Sequence, residues 1–145
     1  LKFIGDLYPE QFDDTVDAMT SAIEGLSQFE LSAAALGVFP SVKKTRVVWA
    51  GVRGGTDRLQ LLVRKLDDQL HRHLGLQKDR KRYTPHLTLA RIKKTVPPRD
   101  VIASMQEFEK FESNKFTVSE ISLMKSTLFK TGAVHERIIS VKLGK

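Results

Sequence analysis

Thr84-Pro85-His86-Leu87-Thr88-Leu89, followed by Arg91 and preceded by the basic run Lys78-Asp79-Arg80-Lys81-Arg82, is the stretch on which the reading of this chain turns. Pro85 and the alternation after it predict a β-strand, in which residues two apart share a face. His86 and Thr88 then project together, and Leu87 and Leu89 are predicted to enter an apolar layer behind them. An imidazole that donates or takes a proton stands beside a hydroxyl that hydrogen-bonds a phosphate oxygen. In a regular strand Arg91 shares the face of Leu87 and Leu89, so it reaches the histidine side only if the strand twists or ends near Ala90. Spacing alone also fits a half-buried strand whose one histidine is satisfied by a neighbour.

Working outward, Pro9-Glu10 follows an opening strand (Leu1 to Asp6) and starts a helix, with Glu10, Asp13 and Asp14 at the positive end of its dipole. Phe12, Val16, Met19, Ile23 and Leu26 recur at helical spacing as one predicted buried stripe. Phe29 to Phe39 and Arg46 to Val52 read as strands joined by a basic turn, Pro40-Ser41-Val42-Lys43-Lys44. After Gly54-Gly55, with Thr56 as a cap, a second helix presents Leu59, Leu62, Val63, Leu66, Leu70 and Leu74, and Gly75 stops it. A third helix starts at Pro97-Pro98 with Val101, Ile102, Met105 and Phe108 inward, and strands at about 115–125 and 134–143 close the chain. The pattern is α+β: antiparallel sheets with helices packed outside, in one domain spanning 1–145.

At 145 residues with 41% apolar content, the chain is long enough for a proper core. No apolar run is long enough to cross a bilayer as a helix, and no membrane partner is expected. Zero cysteines exclude disulfides and thiolate metal sites and fit a cytoplasmic setting. The net charge of +7 is unevenly spread: residues 1–30 carry −6, residues 31–100 carry +11 and the remainder +2. A basic centre suits a polyanionic partner, RNA or a nucleotide, although ordinary surface charge produces the same count.

His86-Leu87-Thr88 resembles the second of the two His-x-Thr motifs of the 2H phosphoesterase superfamily, and within it the RNA 2′,3′-cyclic phosphodiesterases, also known as 2′-5′ RNA ligases. Other segments match in family order. Leu1-Lys2-Phe3-Ile4-Gly5-Asp6 resembles the segment after the first motif. Leu36-Gly37-Val38-Phe39-Pro40 and Arg46-Val47-Val48-Trp49-Ala50-Gly51-Val52 resemble the central strand pair. Leu123-Met124-Lys125-Ser126-Thr127-Leu128 and Gly132 resemble the closing hairpin. The family pattern puts the first catalytic histidine just upstream of Leu1, so an amino-terminal truncation is expected, with a first lobe lacking its strand-helix-strand.

The resemblance implies a two-lobed fold and hydrolysis of a terminal 2′,3′-cyclic phosphate to a 2′-phosphomonoester by two histidines, with no cofactor and no metal. His86 is then one proton-transfer group and Thr88 a phosphate ligand. Arg91, Phe39, Arg82, Tyr83 and Ser126 are candidate substrate contacts, with Trp49 a further stacking candidate. The partner implied is RNA with a cyclic phosphate end, or a small cyclic nucleotide, bound by a monomer. A non-catalytic RNA- or nucleotide-binding module is the competing class. His71 and His73, two apart on a helix, do not face one another and are poor metal ligands. His135 lacks a threonine two residues later, where Arg137 stands.

Overall fold

The computed structural model of the chain describes residues 1–81 and 83–145; Arg82, expected at the substrate, lies outside them. The elements in order are α1 (Phe12–Ile23), β1 (Phe29–Phe39), β2 (Val47–Gly54), α2 (Thr56–Leu74), β3 (His86–Arg91), α3 (Pro98–Glu107), β4 (Phe116–Val118), β5 (Glu120–Phe129) and β6 (Gly132–Lys142). β3, β2, β1 and β4 form one sheet in that order, and β5 pairs with β6. The β1–β2, β2–β3 and β5–β6 pairs are antiparallel, so the α+β class expected from the sequence holds. Two compact units divide the chain: Leu1–Phe29, Asp57–Tyr83 and Val118–Lys145 in one, Glu30–Thr56 and Thr84–Thr117 in the other. Among the described residues no helix is long and apolar enough to cross a membrane.

In the first unit the leucines of α2 do what their spacing demands. Leu59, Leu62, Leu66 and Leu70 are buried along one stripe. Gly75 then takes a positive φ of 68°, and its N–H caps the carbonyl of His71 at 2.9 Å. Helix α1 begins later than expected, because Pro9–Gln11 forms a separate 3₁₀ turn. Its buried face is also rotated from the expected stripe: Thr15, Ala18, Met19 and Ala22 are inside, while Phe12, Val16, Ile23 and Leu26 are only half-buried. Small residues let that face pack closely, and the Thr15 hydroxyl is satisfied by the Gln11 carbonyl at 2.7 Å.

Residues 1–8 form no strand, contrary to expectation. Lys2 anchors them instead, donating to Asp67 Oδ1 at 2.6 Å and to the Gln77 carbonyl at 2.9 Å, with Asp79 at 3.1 Å. Its side chain is only 8% exposed. Burial pulls the ammonium down, but the hydrogen bonds and charges of Asp67 and Asp79 outweigh it and hold Lys2 above the ordinary lysine range. The basic loop that follows α2 is thus tied back to the helix, with Lys78 also paired to Asp68.

The second unit is the four-stranded sheet with α3. The strand expected over 115–125 is two: β4 joins this sheet, and after Ser119 the chain turns into the β5–β6 hairpin. On α3 only Val101 is buried; Ile102 and Phe108, expected inward, are exposed. One β-bulge interrupts β1 at Ala35, which adopts φ 51° and donates its N–H to the Phe111 carbonyl at 3.0 Å. Glu112 accepts from the buried Ser32 hydroxyl at 2.6 Å and lies 3.4 Å from Arg53. The Ser32 hydrogen bond, with help from Arg53, outweighs desolvation and holds the Glu112 carboxyl below the usual range.

Candidate functional site

β3 is an edge strand, paired to β2 with Gly51 opposite His86, Ala50 opposite Leu87 and Trp49 opposite Thr88. The register then slips: Val48 faces Ala90 and Val47 faces Arg91, which leaves Leu89 as the extra residue of a bulge. Directly opposed residues of an antiparallel pair share a face, and Gly51, Trp49 and Val47 alternate on one face of β2. The bulge therefore puts Arg91 on the side of His86 and Thr88. This corrects the face expected from regular alternation. The apolar layer expected behind the motif is corrected as well, since Leu87 is 45% and Leu89 58% exposed on an edge that pairs with no further strand among the described residues.

The same face extends onto β1, where Gly37 opposes Trp49 and Phe39 opposes Val47. A methyl at Gly37 would overlap the indole of Trp49, so glycine is what lets the ring lie flat over β1. One at Gly51 would stand 2.8 Å from the Ala34 carbonyl. The indole packs on Phe39 with centroids 5.1 Å apart, and the edge of His86 meets both rings, 5.2 Å from Phe39 and 6.1 Å from Trp49. The Nε1–H of Trp49 is buried with no hydrogen-bond partner among the described residues.

His86 is exposed and its Nδ1 lies 2.7 Å from the Thr84 carbonyl. A carbonyl only accepts, so Nδ1 carries the hydrogen and Nε2 keeps its lone pair in the neutral ring. The imidazole is thus steered at one nitrogen by backbone, braced by two aromatic rings, and left open at the other. Thr88 and Arg91, both exposed, add a hydroxyl and a guanidinium on the same side. Together these groups can move a proton and bind phosphate oxygens.

The structure thus brings together His86, Thr88, Arg91 and Phe39 of the expected residues, in one unit. Tyr83 and Ser126 belong to the other unit. Burial raises the Tyr83 phenol above its ordinary value. Ser126 is exposed on β5, directly opposite His135 on β6. His71 Nδ1 lies 2.9 Å from the Leu76 carbonyl. Sequence reasoning placed Trp49 among the stackers but missed its seat on Gly37; the pairing of a glycine with a tryptophan across two strands was the available signal.

A family model described as the 2′-5′ RNA ligase superfamily matches residues 3–128. The chain belongs to that superfamily. Within it, a protein of Methanothermobacter thermautotrophicus named RNA 2′,3′-cyclic phosphodiesterase is 33% identical over 93% of this chain and 72% of its own length. One of Aeropyrum pernix with the same name is 30% identical over 98% of this chain and 79% of its own. The crystal structure of TT0787 of Thermus thermophilus shares the superfamily fold with a TM-score of 0.74 at 22% identity, covering 99% of this chain and 76% of that one.

Proposed function

We propose that this chain carries an RNA 2′,3′-cyclic phosphodiesterase site centred on His86. The observation that carries the reading is the register of β3, which aligns His86, Thr88 and Arg91 on one exposed face with Nε2 of the imidazole open. The names of the relatives supply the substrate class.

The reaction adds water across one P–O bond of the five-membered cyclic ester. Water attacks phosphorus and gives its proton to one general base. The bond from phosphorus to the ribose 3′ oxygen breaks, and a general acid protonates that oxygen, leaving a 2′-phosphomonoester and a 3′-hydroxyl. His86 serves as one of these two groups, with Nδ1–H held by Thr84 so that only Nε2 exchanges protons. The other is the second imidazole of the paired-histidine pattern. Thr88 donates its hydroxyl to a non-bridging phosphate oxygen, and Arg91, at the far end of β3, meets a phosphate further along the bound strand. Phe39 packs beside the ribose and base of the terminal nucleotide. None of these steps calls on a metal or a cofactor.

The test is hydrolysis of a short oligoribonucleotide ending in a 2′,3′-cyclic phosphate, with EDTA present, by the full-length protein. Release of the 2′-phosphate end at a rate insensitive to EDTA supports the reading. A 3′-phosphate product, or loss of activity on chelation, overturns the mechanism. Binding without turnover assigns the His86 face to a non-catalytic RNA-binding module.

A further inference from the structure

Between Glu30 and Asp57, and again between Asp79 and Asp100, the sequence contains no acid. The fold brings seven of the cations of these two stretches to one end of the sheet. Lys43 and Lys44 lie in the 3₁₀ turn Val42–Lys44, immediately before Arg46. The Ile92 N–H donates to the Arg46 carbonyl at 2.9 Å, which holds Lys93 and Lys94 beside that turn. Arg91 closes β3 opposite Val47, and α3, which packs against the same turn, contributes Arg99 at its start. All seven side chains are exposed. Among the described residues only Arg99 has an acidic partner, Asp100 at 3.3 Å.

We propose that this basic cluster is a binding site for the body of an RNA strand, the phosphates of nucleotides preceding the one that reacts. The inference rests on the cyclic phosphodiesterase reading for the location of the reacting end, and deepens it by placing the nucleotides that precede that end. His86 and Arg91 stand at opposite ends of β3, five residues and therefore about 17 Å apart at the usual strand rise. A terminal phosphate at His86 leaves a few nucleotides to run along the strand before the backbone meets Lys43, Lys44, Lys93 and Lys94. A mononucleotide at His86 does not reach them. Flexible lysines without acidic partners suit phosphates of any sequence, because they supply charge without reading bases.

The test compares wild-type protein with the variant Lys43→Gln/Lys44→Gln/Lys93→Gln/Lys94→Gln, and with Lys93→Glu/Lys94→Glu as a stronger perturbation of a surface pair. Substrates are a mononucleoside 2′,3′-cyclic phosphate and an octaribonucleotide ending in the same group. For the octamer KM should rise roughly tenfold or more with kcat unchanged, since four exposed charge contacts are removed. The slope of log(kcat/KM) against log salt should shrink by about 2 to 3, at ~0.7 per neutralised phosphate of a single strand. Hydrolysis of the mononucleotide is the reference and should not move. Equal effects on both substrates, or an unchanged salt slope for the octamer, overturn the proposal. If the wild type turns over neither substrate, the phosphodiesterase reading fails by itself. The anisotropy of a fluorescent octamer ending in a 3′-phosphate then still reads the patch through the same salt slope, and equal affinity of wild type and variant overturns it.

Discussion

Replacing Gly37 with alanine tests whether the seat of Trp49 is what shapes the face around His86. The new methyl would overlap the indole, whose Cζ2, Cη2 and Cε2 atoms lie where the Cβ must go. Gly37 is buried, and the ring is bounded by Phe39 at 5.1 Å and His86 at 6.1 Å between centroids, so it cannot slide aside without breaking those contacts. Forcing an extra carbon into a packed site costs about 1–3 kcal/mol. Losing one aromatic contact adds about 0.5–1.5 kcal/mol. A total near 2–4 kcal/mol lowers the melting temperature by roughly 6–12 °C for a chain of this size. Trp49 is the sole tryptophan, so its emission reports the displacement directly, by a shift to longer wavelength as the ring meets water. Adding the same change to a Trp49→Leu protein should cost under about 1 kcal/mol, because the clash is gone and the two sites are coupled. A Gly37→Ala protein with wild-type melting and wild-type emission would refute the packing argument.

Thr88→Val keeps the β-branched shape and removes the hydroxyl; it should lower kcat/KM about 10- to 150-fold, the worth of one hydrogen bond to a charged group, with unchanged melting. Lys2→Ala strips the partner from Asp67 and should destabilise the protein by about 2–3 kcal/mol in denaturant titration, below the full cost of a wholly buried pair because Asp79 is exposed. Because the folded state raises the Lys2 value, its contribution is complete below the ordinary lysine range and fades as pH climbs through the raised one, so wild type and Lys2→Met should converge in stability at alkaline pH. Glu112 has the opposite sign: its carboxyl is held low in the folded state, so its contribution is present above the ordinary carboxylate range and lost as pH falls through the lowered value. Ser32→Ala should therefore flatten the acid limb of the stability profile, read as melting temperature against pH.

The sequence made some elements legible because one force dominates each of them. The leucine stripe of α2 and the glycine that stops it follow from burial and from the positive φ of Gly75. The pairing of His86 with Thr88 follows from strand alternation. Arg91 is the instructive failure. A bulge at Leu89 shifts the alternation by one residue, and leucine carries no local preference for a bulge, so the register is visible only once β2 lies beside β3. The face of α1 was misjudged because large side chains were expected inside, where close packing admits Thr15, Ala18 and Ala22. The apolar character of Leu87 and Leu89 says that they favour burial, but not that a neighbour covers them. The split of the 115–125 stretch into β4 and β5 is set by which strand each half finds, a tertiary choice with no signature at Ser119.

The central claim is that His86 moves a proton through Nε2. The most direct measurement is kcat/KM for the cyclic-phosphate oligonucleotide with His86→Ala, with EDTA throughout. The account predicts a loss of about 10²–10⁴-fold in a folded protein whose melting temperature falls by no more than roughly 3–9 °C, the worth of the two aromatic contacts of His86, with wild-type affinity for the 3′-phosphate oligonucleotide. Activity within a few-fold of wild type in a folded His86→Ala protein would contradict it.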